Sequence, residues 1–229
     1  DFYDWSVQRN SIIWLPGMVC GLNIVCRSLA DEATQVITNT PVYPPFLSSP
    51  GNSGLPCTQI PMIVSEGRYT IDFDALHNLE TSPNDLFMLC HPHNPVGTNF
   101  TRKELENLSE FIIERELFIC SDEIHCDLIL EESLSHIPFA SLSDEIADRT
   151  ITLMAPSKTF NLAGFGCSFA IISNAGLKKR FKKAMRGIVP DPAAMGFRLA
   201  EVAYRECEEW RIRLLHYLRS NRDFVFKEL

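Results

Sequence analysis

The chain has 229 residues, 45% of them hydrophobic and 22% charged, enough apolar material for a sizeable core in one large domain or one and a half. A formal net charge of −8 argues against a broad nucleic-acid surface, and no apolar run approaches the roughly 18 residues of a membrane span. The eight cysteines have no paired spacing and several lie inside apolar runs, so they read as reduced core residues of a cytoplasmic protein.

No signal peptide is visible, although the first residue is not methionine, which leaves a processed or missing N-terminus open. In chain order, strand-length apolar runs fall at 35–40 (QVITNT), 60–64 (IPMIV), 85–90 (DLFMLC), 116–121 (ELFICS), 150–155 (TITLMA) and 168–173 (SFAIIS). Between the first two, PPFLSSPGNSG (44–54) has the composition of a surface loop. Between the third and fourth, TRKELENLSEFIIERE predicts a helix. Thr101 and Glu104 form a capping box, and Leu105, Leu108, Phe111 and Ile112 share one face. After the last strand, LKKRFKK reads as the wet face of a helix, and 193–228 as one long amphipathic helix. Alternating strands and helices predict an α/β fold with a mostly parallel sheet.

In such sheets ligands bind beyond the carboxyl ends of the strands. The residues that follow the runs are HPHNPVG after 85–90, DEIH after 116–121 and PSKT after 150–155. One edge therefore collects Asn94, Asp122, His125, Ser157 and Lys158. Singly, Asn94 reads as a turn residue, Asp122 as a helix cap and His125 as a core histidine. His91 and His93 lie two apart, but no further ligands complete a zinc set. Lys158 stands alone in a turn of small and polar residues, unlike the clustered Lys178, Lys179, Lys182 and Lys183.

An amine, a carboxylate, an amide and an imidazole at one edge fit pyridoxal 5′-phosphate (PLP). Lys158 can form the Schiff base and Asp122 can pair with the ring nitrogen. Asn94 and His125 can donate to the phenolic oxygen, and Tyr43 of TPVYPPF can stack on the ring. Gly17 precedes an apolar helix whose first amides, at Met18 and Val19, can bind phosphate.

TPVYPPF, HNPVGTNFTRKEL, SDEIHCDLI, HIPFASLS and APSKTFNLAG, in that order, resemble the class I/II aminotransferase superfamily of PLP enzymes, and within it the cystathionine β-lyase (carbon–sulfur lyase) subgroup. The resemblance covers almost the whole chain. It implies the fold-type-I large domain, a three-layer α/β/α arrangement around a mixed seven-stranded sheet, and a homodimer acting on an amino-acid substrate. It also implies Lys158 as the catalytic, Schiff-base residue, Asp122 as ring-nitrogen partner, Asn94 and His125 as phenolic-oxygen donors, Tyr43 as the stacking ring and Ser157 as a phosphate contact. The implied division is a PLP-binding domain over 1–190, then a long helix over 191–229 leading into a small domain. Measured against the family, both ends are absent: the N-terminal arm and most of the small domain. Gly166 stands where the family carries a side-chain phosphate donor. The implied activity is β-lyase cleavage of an L-cysteine-type thioether to thiol, pyruvate and ammonia. Transamination is the alternative, and a truncated, non-catalytic copy a second one.

Overall fold

The computed structural model describes residues 3–229. In chain order its elements are β1 (Ile12–Leu15), α1 (Met18–Leu29), β2 (Val36–Thr40), α2 (Pro45–Asn52), β3 (Cys57–Pro61), β4 (Ile63–Ser65) and β5 (Arg68–Thr70). Next come α3 (Phe73–His77), β6 (Leu86–Cys90), α4 (Arg102–Glu114), β7 (Phe118–Asp122), α5 (Asp144–Arg149) and β8 (Thr150–Met154). The last are β9 (Ser168–Ile171), α6 (Ala175–Met185), α7 (Ala194–Glu206) and α8 (Glu208–Glu228).

Seven strands form one sheet in the order β1-β9-β8-β7-β6-β2-β3. The ladder from β3 to β8 is parallel, and β9 pairs antiparallel with both β8 and β1. β9 thus runs against the other six strands, and β1 points the same way as β8. The central strands read as continuous apolar runs because both faces are covered. On one face Leu86, Met88, Cys120, Ile151 and Leu153 pack with Leu22, Val25 and Leu29 of α1, Phe46 of α2 and Leu177 and Phe181 of α6. On the other, Ile37, Phe87, Leu89 and Ile119 pack with Leu105, Leu108, Phe111 and Ile112 of α4. The alternation along each strand sorts the side chains between the two layers, so the mixed, mostly parallel α/β/α architecture expected from the sequence is the one found.

α4 begins as its sequence dictates. Thr101 Oγ1 accepts from Glu104 N–H at 3.3 Å, and Glu104 Oε2 accepts from Thr101 N–H at 2.7 Å. The four apolar residues of its expected face are all fully buried.

Three expectations are corrected. The stretch 44–54 contains α2, with Pro45 in its first turn and Phe46 and Ser49 fully buried. Proline fits the first turn because no amide hydrogen is needed there, and the Ser–Gly content conceals one buried phenylalanine. The run at 60–64 is split: Cys57–Pro61 joins the sheet, while Ile63 and Val64 leave it, exposed, for a ribbon with β5. Glu66 (φ 51°) and Gly67 (φ 78°) supply the two left-handed residues of that tight turn. The run at 193–228 is helical but breaks at Cys207, and α8 is not amphipathic throughout. Leu215 is its one buried residue, and Tyr217, Phe224 and Phe226 are exposed. α8 is instead held by cations on carbonyls: Arg211 donates to Asp127 O and Arg219 to Leu130 O. β1, four residues with Trp14 turned outward, is too short to stand out in the sequence.

Candidate active site

Because β1, β2, β6, β7 and β8 share a direction, the loops leaving them meet along one edge. There they enclose a cleft of about 260 Å³ whose lining includes Met18, Val19, Tyr43, Asn94, Asp122, His125, Ser157 and Lys158. All eight residues singled out from the sequence therefore converge.

Each is held by local structure. Lys158 is exposed on a turn after β8, closed by Phe160 N–H on Pro156 O and Leu162 N–H on Ser157 O. Thr159 beside it is fully buried. Asn94 lies in a loop pinned by His93 N–H on Thr98 O (2.8 Å) and Gly97 N–H on His93 O (2.8 Å). Asp122, the last residue of β7, is 3% exposed and accepts from Ile124 N–H at 3.1 Å. That contact is the local turn bond a capping aspartate would make, formed here on the floor of the cleft. Burial pushes the Asp122 carboxyl up to about 7. The Glu123 charge adds to this, while the Ile124 N–H and the Lys158 ammonium oppose it. His125 is half-buried, and burial and Lys158 both lower its proton affinity. At the head of α1, Gly17 is extended (φ 171°) and offers no side-chain cap. The helix opens with Gly21 N–H bonded to Gly17 O at 3.1 Å, so the amides of Met18, Val19 and Cys20 lie in the first turn, where none has a partner within the helix.

Gly166 also lines the cleft, and its backbone accounts for the residue type. Its φ is +54°, and a Cβ there would stand 2.7 Å from Pro16 O. A side-chain donor at this position is excluded by the close approach of the segment leading into α1.

Some residues were missed in the sequence. Cys90 lines the cleft from the end of β6, a place the strand-end rule does point to. Directly behind the cleft lie Glu123, His91 and His136, all buried. His91 and His93 do not share a target: His91 Nε2 donates to Ile137 O (3.1 Å) and His93 Nε2 to Pro41 O (2.8 Å).

The model of the family aminotransferase class I and II matches residues 2–229. The chain belongs to that family. Among relatives of this aminotransferase-family chain, cystathionine beta-lyase PatB of Bacillus subtilis (strain 168) is 36% identical over 96% of the chain and 57% of its own length. The crystal structure of OvoB superposes with a TM-score of 0.95 at 42% identity, covering 98% of this chain and 59% of that one. A PLP-bound C–S lyase from Staphylococcus hominis superposes with a TM-score of 0.88 at 29% identity, covering 98% and 56%. The chain thus spans somewhat more than half the length of the relatives it matches.

Proposed function

We propose that the cleft holds PLP and that the protein is a carbon–sulfur β-lyase of the cystathionine β-lyase type. The observation that carries this reading is the meeting of one lysine amine, one buried carboxyl, one amide, one imidazole and a bare helix N-terminus in a single cleft. The donor set fits the group. Asp122 is a buried carboxyl whose nearest protein hydrogen bond is one backbone N–H, so a ring N–H⁺ is the partner it lacks. The amides of Met18 and Val19 and the hydroxyl of Ser157 are suited to a phosphate. Asn94 and His125 are suited to the phenolic oxygen, and Tyr43 to a ring face.

Bound PLP supplies an aldehyde that takes up amines and a cationic ring that withdraws electrons. Lys158 Nζ is the amine that anchors it. As a free, neutral amine beside the bound substrate, Lys158 Nζ would be the base that takes the proton from substrate Cα. Asp122 Oδ keeps the ring nitrogen protonated by pairing with it. For an L-cysteine-type thioether the Cβ–S bond breaks, and the thiolate leaves with the bond's electron pair and gains a proton. One water is consumed, and the net products are thiol, pyruvate and ammonium.

A second reading, amino-group transfer to a 2-keto acid, uses the same residues and is favoured by the class of the matching family. One experiment separates the readings. The chain is mixed with PLP, its visible absorbance is followed before and after borohydride, and the reduced adduct is mapped. The expected result is a band that borohydride bleaches, with the adduct on Lys158. Pyruvate and thiol released from cystathionine then support the lyase, whereas keto acid formed from an amino donor supports transfer. Adducts scattered over Lys178, Lys179, Lys182 and Lys183 would overturn the site.

A further inference from the structure

Glu123 and its neighbours have no part in the reading so far, yet they form a fully enclosed polar cluster. Glu123 and its partner His136 both have wholly buried side chains. Glu123 Oε1 accepts from Ser121 Oγ (2.8 Å) and Phe139 N–H (3.0 Å), and Glu123 Oε2 accepts from His136 Nε2–H (2.7 Å). Its own N–H donates to Leu153 O of β8 at 2.8 Å. Burying a carboxylate is expensive unless it is fully hydrogen-bonded, and a well-packed apolar residue often serves stability as well or better. Stability alone therefore gives little reason for a charge here.

The cluster is joined to both cleft residues that would hold the ring. His91 N–H donates to Asp122 O at 2.9 Å, so the start of the Asn94 loop is bonded to Asp122. The His91 ring lies 4.6 Å from the His136 ring, tilted by 34°. Three segments, 91–94, 121–125 and 136–139, thus converge on Glu123. The hydrogen positions follow from the acceptors. Ile137 O requires a hydrogen on His91 Nε2, and Glu123 requires one on His136 Nε2. Nδ1 of each ring is buried without a partner, so a second proton on His91 would have no acceptor. Burial and the neighbouring His136 hold His91 down to about 3, and the His136 contacts keep Glu123 below the usual carboxylate range despite its burial.

We propose that Glu123 is a positioning residue: a buried anion, clamped by Ser121, His136 and Phe139, that fixes Asp122 and the Asn94 loop from behind and imposes its negative charge on Asp122. This rests on the reading of Asp122 as the ring-nitrogen partner. The other groups facing Asp122 are Lys158 from the turn after β8, the Cys90 thiol at the end of β6 and Cys120 on its own strand. Of these Lys158 opposes Glu123, and the two thiols, pushed well above their ordinary range by burial and by Asp122, are neutral. Glu123 is thus the fixed anion beside Asp122, and it strengthens the hold of Asp122 on a shared proton.

The test is a pH titration of the Asp122 and Glu123 side-chain carbons by ¹³C NMR in the PLP-free chain, repeated for Glu123→Gln and His136→Gln. Glu123→Gln keeps the shape and one acceptor oxygen, replaces the other with an NH2 donor and removes the charge, and is expected to lower the Asp122 midpoint by about one pH unit. His136→Gln keeps a side-chain N–H donor to Glu123 and leaves the Glu123 charge in place, and is expected to leave that midpoint unmoved. A folded Glu123→Gln chain with an unmoved Asp122 would overturn the proposal, as would an equal shift in both variants. The wild-type chain gives an independent check: Glu123 should stay ionised while Asp122 titrates, and protonation of Glu123 first would also sink the idea. None of these readings needs cofactor, so they stand apart from the Lys158 adduct. With PLP bound, Glu123→Gln should also shift the pH dependence of the visible band while the adduct still forms on Lys158.

Discussion

Asp122 is the residue at which burial and charge meet in the cleft. Its carboxyl is raised above the unfolded value near 3.8 to about 7. The folded state therefore holds a proton that the unfolded state has already released between those two values. The contribution of Asp122 to stability is present below the lower value and is lost as pH rises through the upper one. Asp122→Asn removes that penalty. In the PLP-free chain it should raise the melting temperature at pH 8 by on the order of 5 °C, with the gain shrinking as pH falls toward 4; an equal gain at every pH would contradict the assignment. Asp122 and Lys158 were legible in the sequence because strand ends at one sheet edge are a small, searchable set. Glu123 was not. In SDEIH it looks like one more acid in a polar turn, and its partner His136 lies 13 positions along the chain, past a loop. Nothing local in a sequence marks an acid as buried.

At the scale of elements, legibility followed redundancy. α4 was readable because a capping box, an apolar face and a following strand agree with one another. α2 was not, since Pro, Ser and Gly outnumber its single anchor, Phe46. That anchor is testable: Phe46→Ala should cost about 3–5 kcal/mol, seen as a lower urea midpoint. A cost under about 0.5 kcal/mol would mean an unpacked surface segment. Gly166 is the other sensitive point. Gly166→Ala places a methyl 2.7 Å from Pro16 O in a left-handed backbone conformation, which should destabilise the chain by about 1–3 kcal/mol. Pro16 leads directly into α1, so the displaced backbone carries the Met18 and Val19 amides with it. The variant should also need more PLP to reach half-saturation. Tighter PLP binding would mean that the α1 N-terminus does not hold the phosphate.

The whole molecule is a sheet whose edge order ties distant parts of the chain to one cleft. PLP that binds only the folded chain must stabilise all of it. At a hundred times its dissociation constant the gain is about 2.7 kcal/mol, on the order of 5–10 °C in melting temperature for a chain of this size. Lys158→Ala should retain part of this shift, because Asp122, Asn94 and the α1 amides remain. An unchanged shift would remove Lys158 from the site, and the absence of any shift in wild type would remove PLP.

The pairing of β1 with β9 has a consequence for how the protein comes into being. Ile12 is matched with Ile171 and Leu15 with Ser168, so the strand that aims the head of α1 has no neighbour in the sheet until β9 has been made. During synthesis β1 leaves the ribosome before the strands from β2 to β9 and waits for β9 to follow. Such long-range closure is slow, and the interval leaves the apolar face of α1 without its cover. A nascent chain released before β9 would carry Lys158 and Asp122 with no anchored α1 beside them, so a complete cleft has to wait for β9.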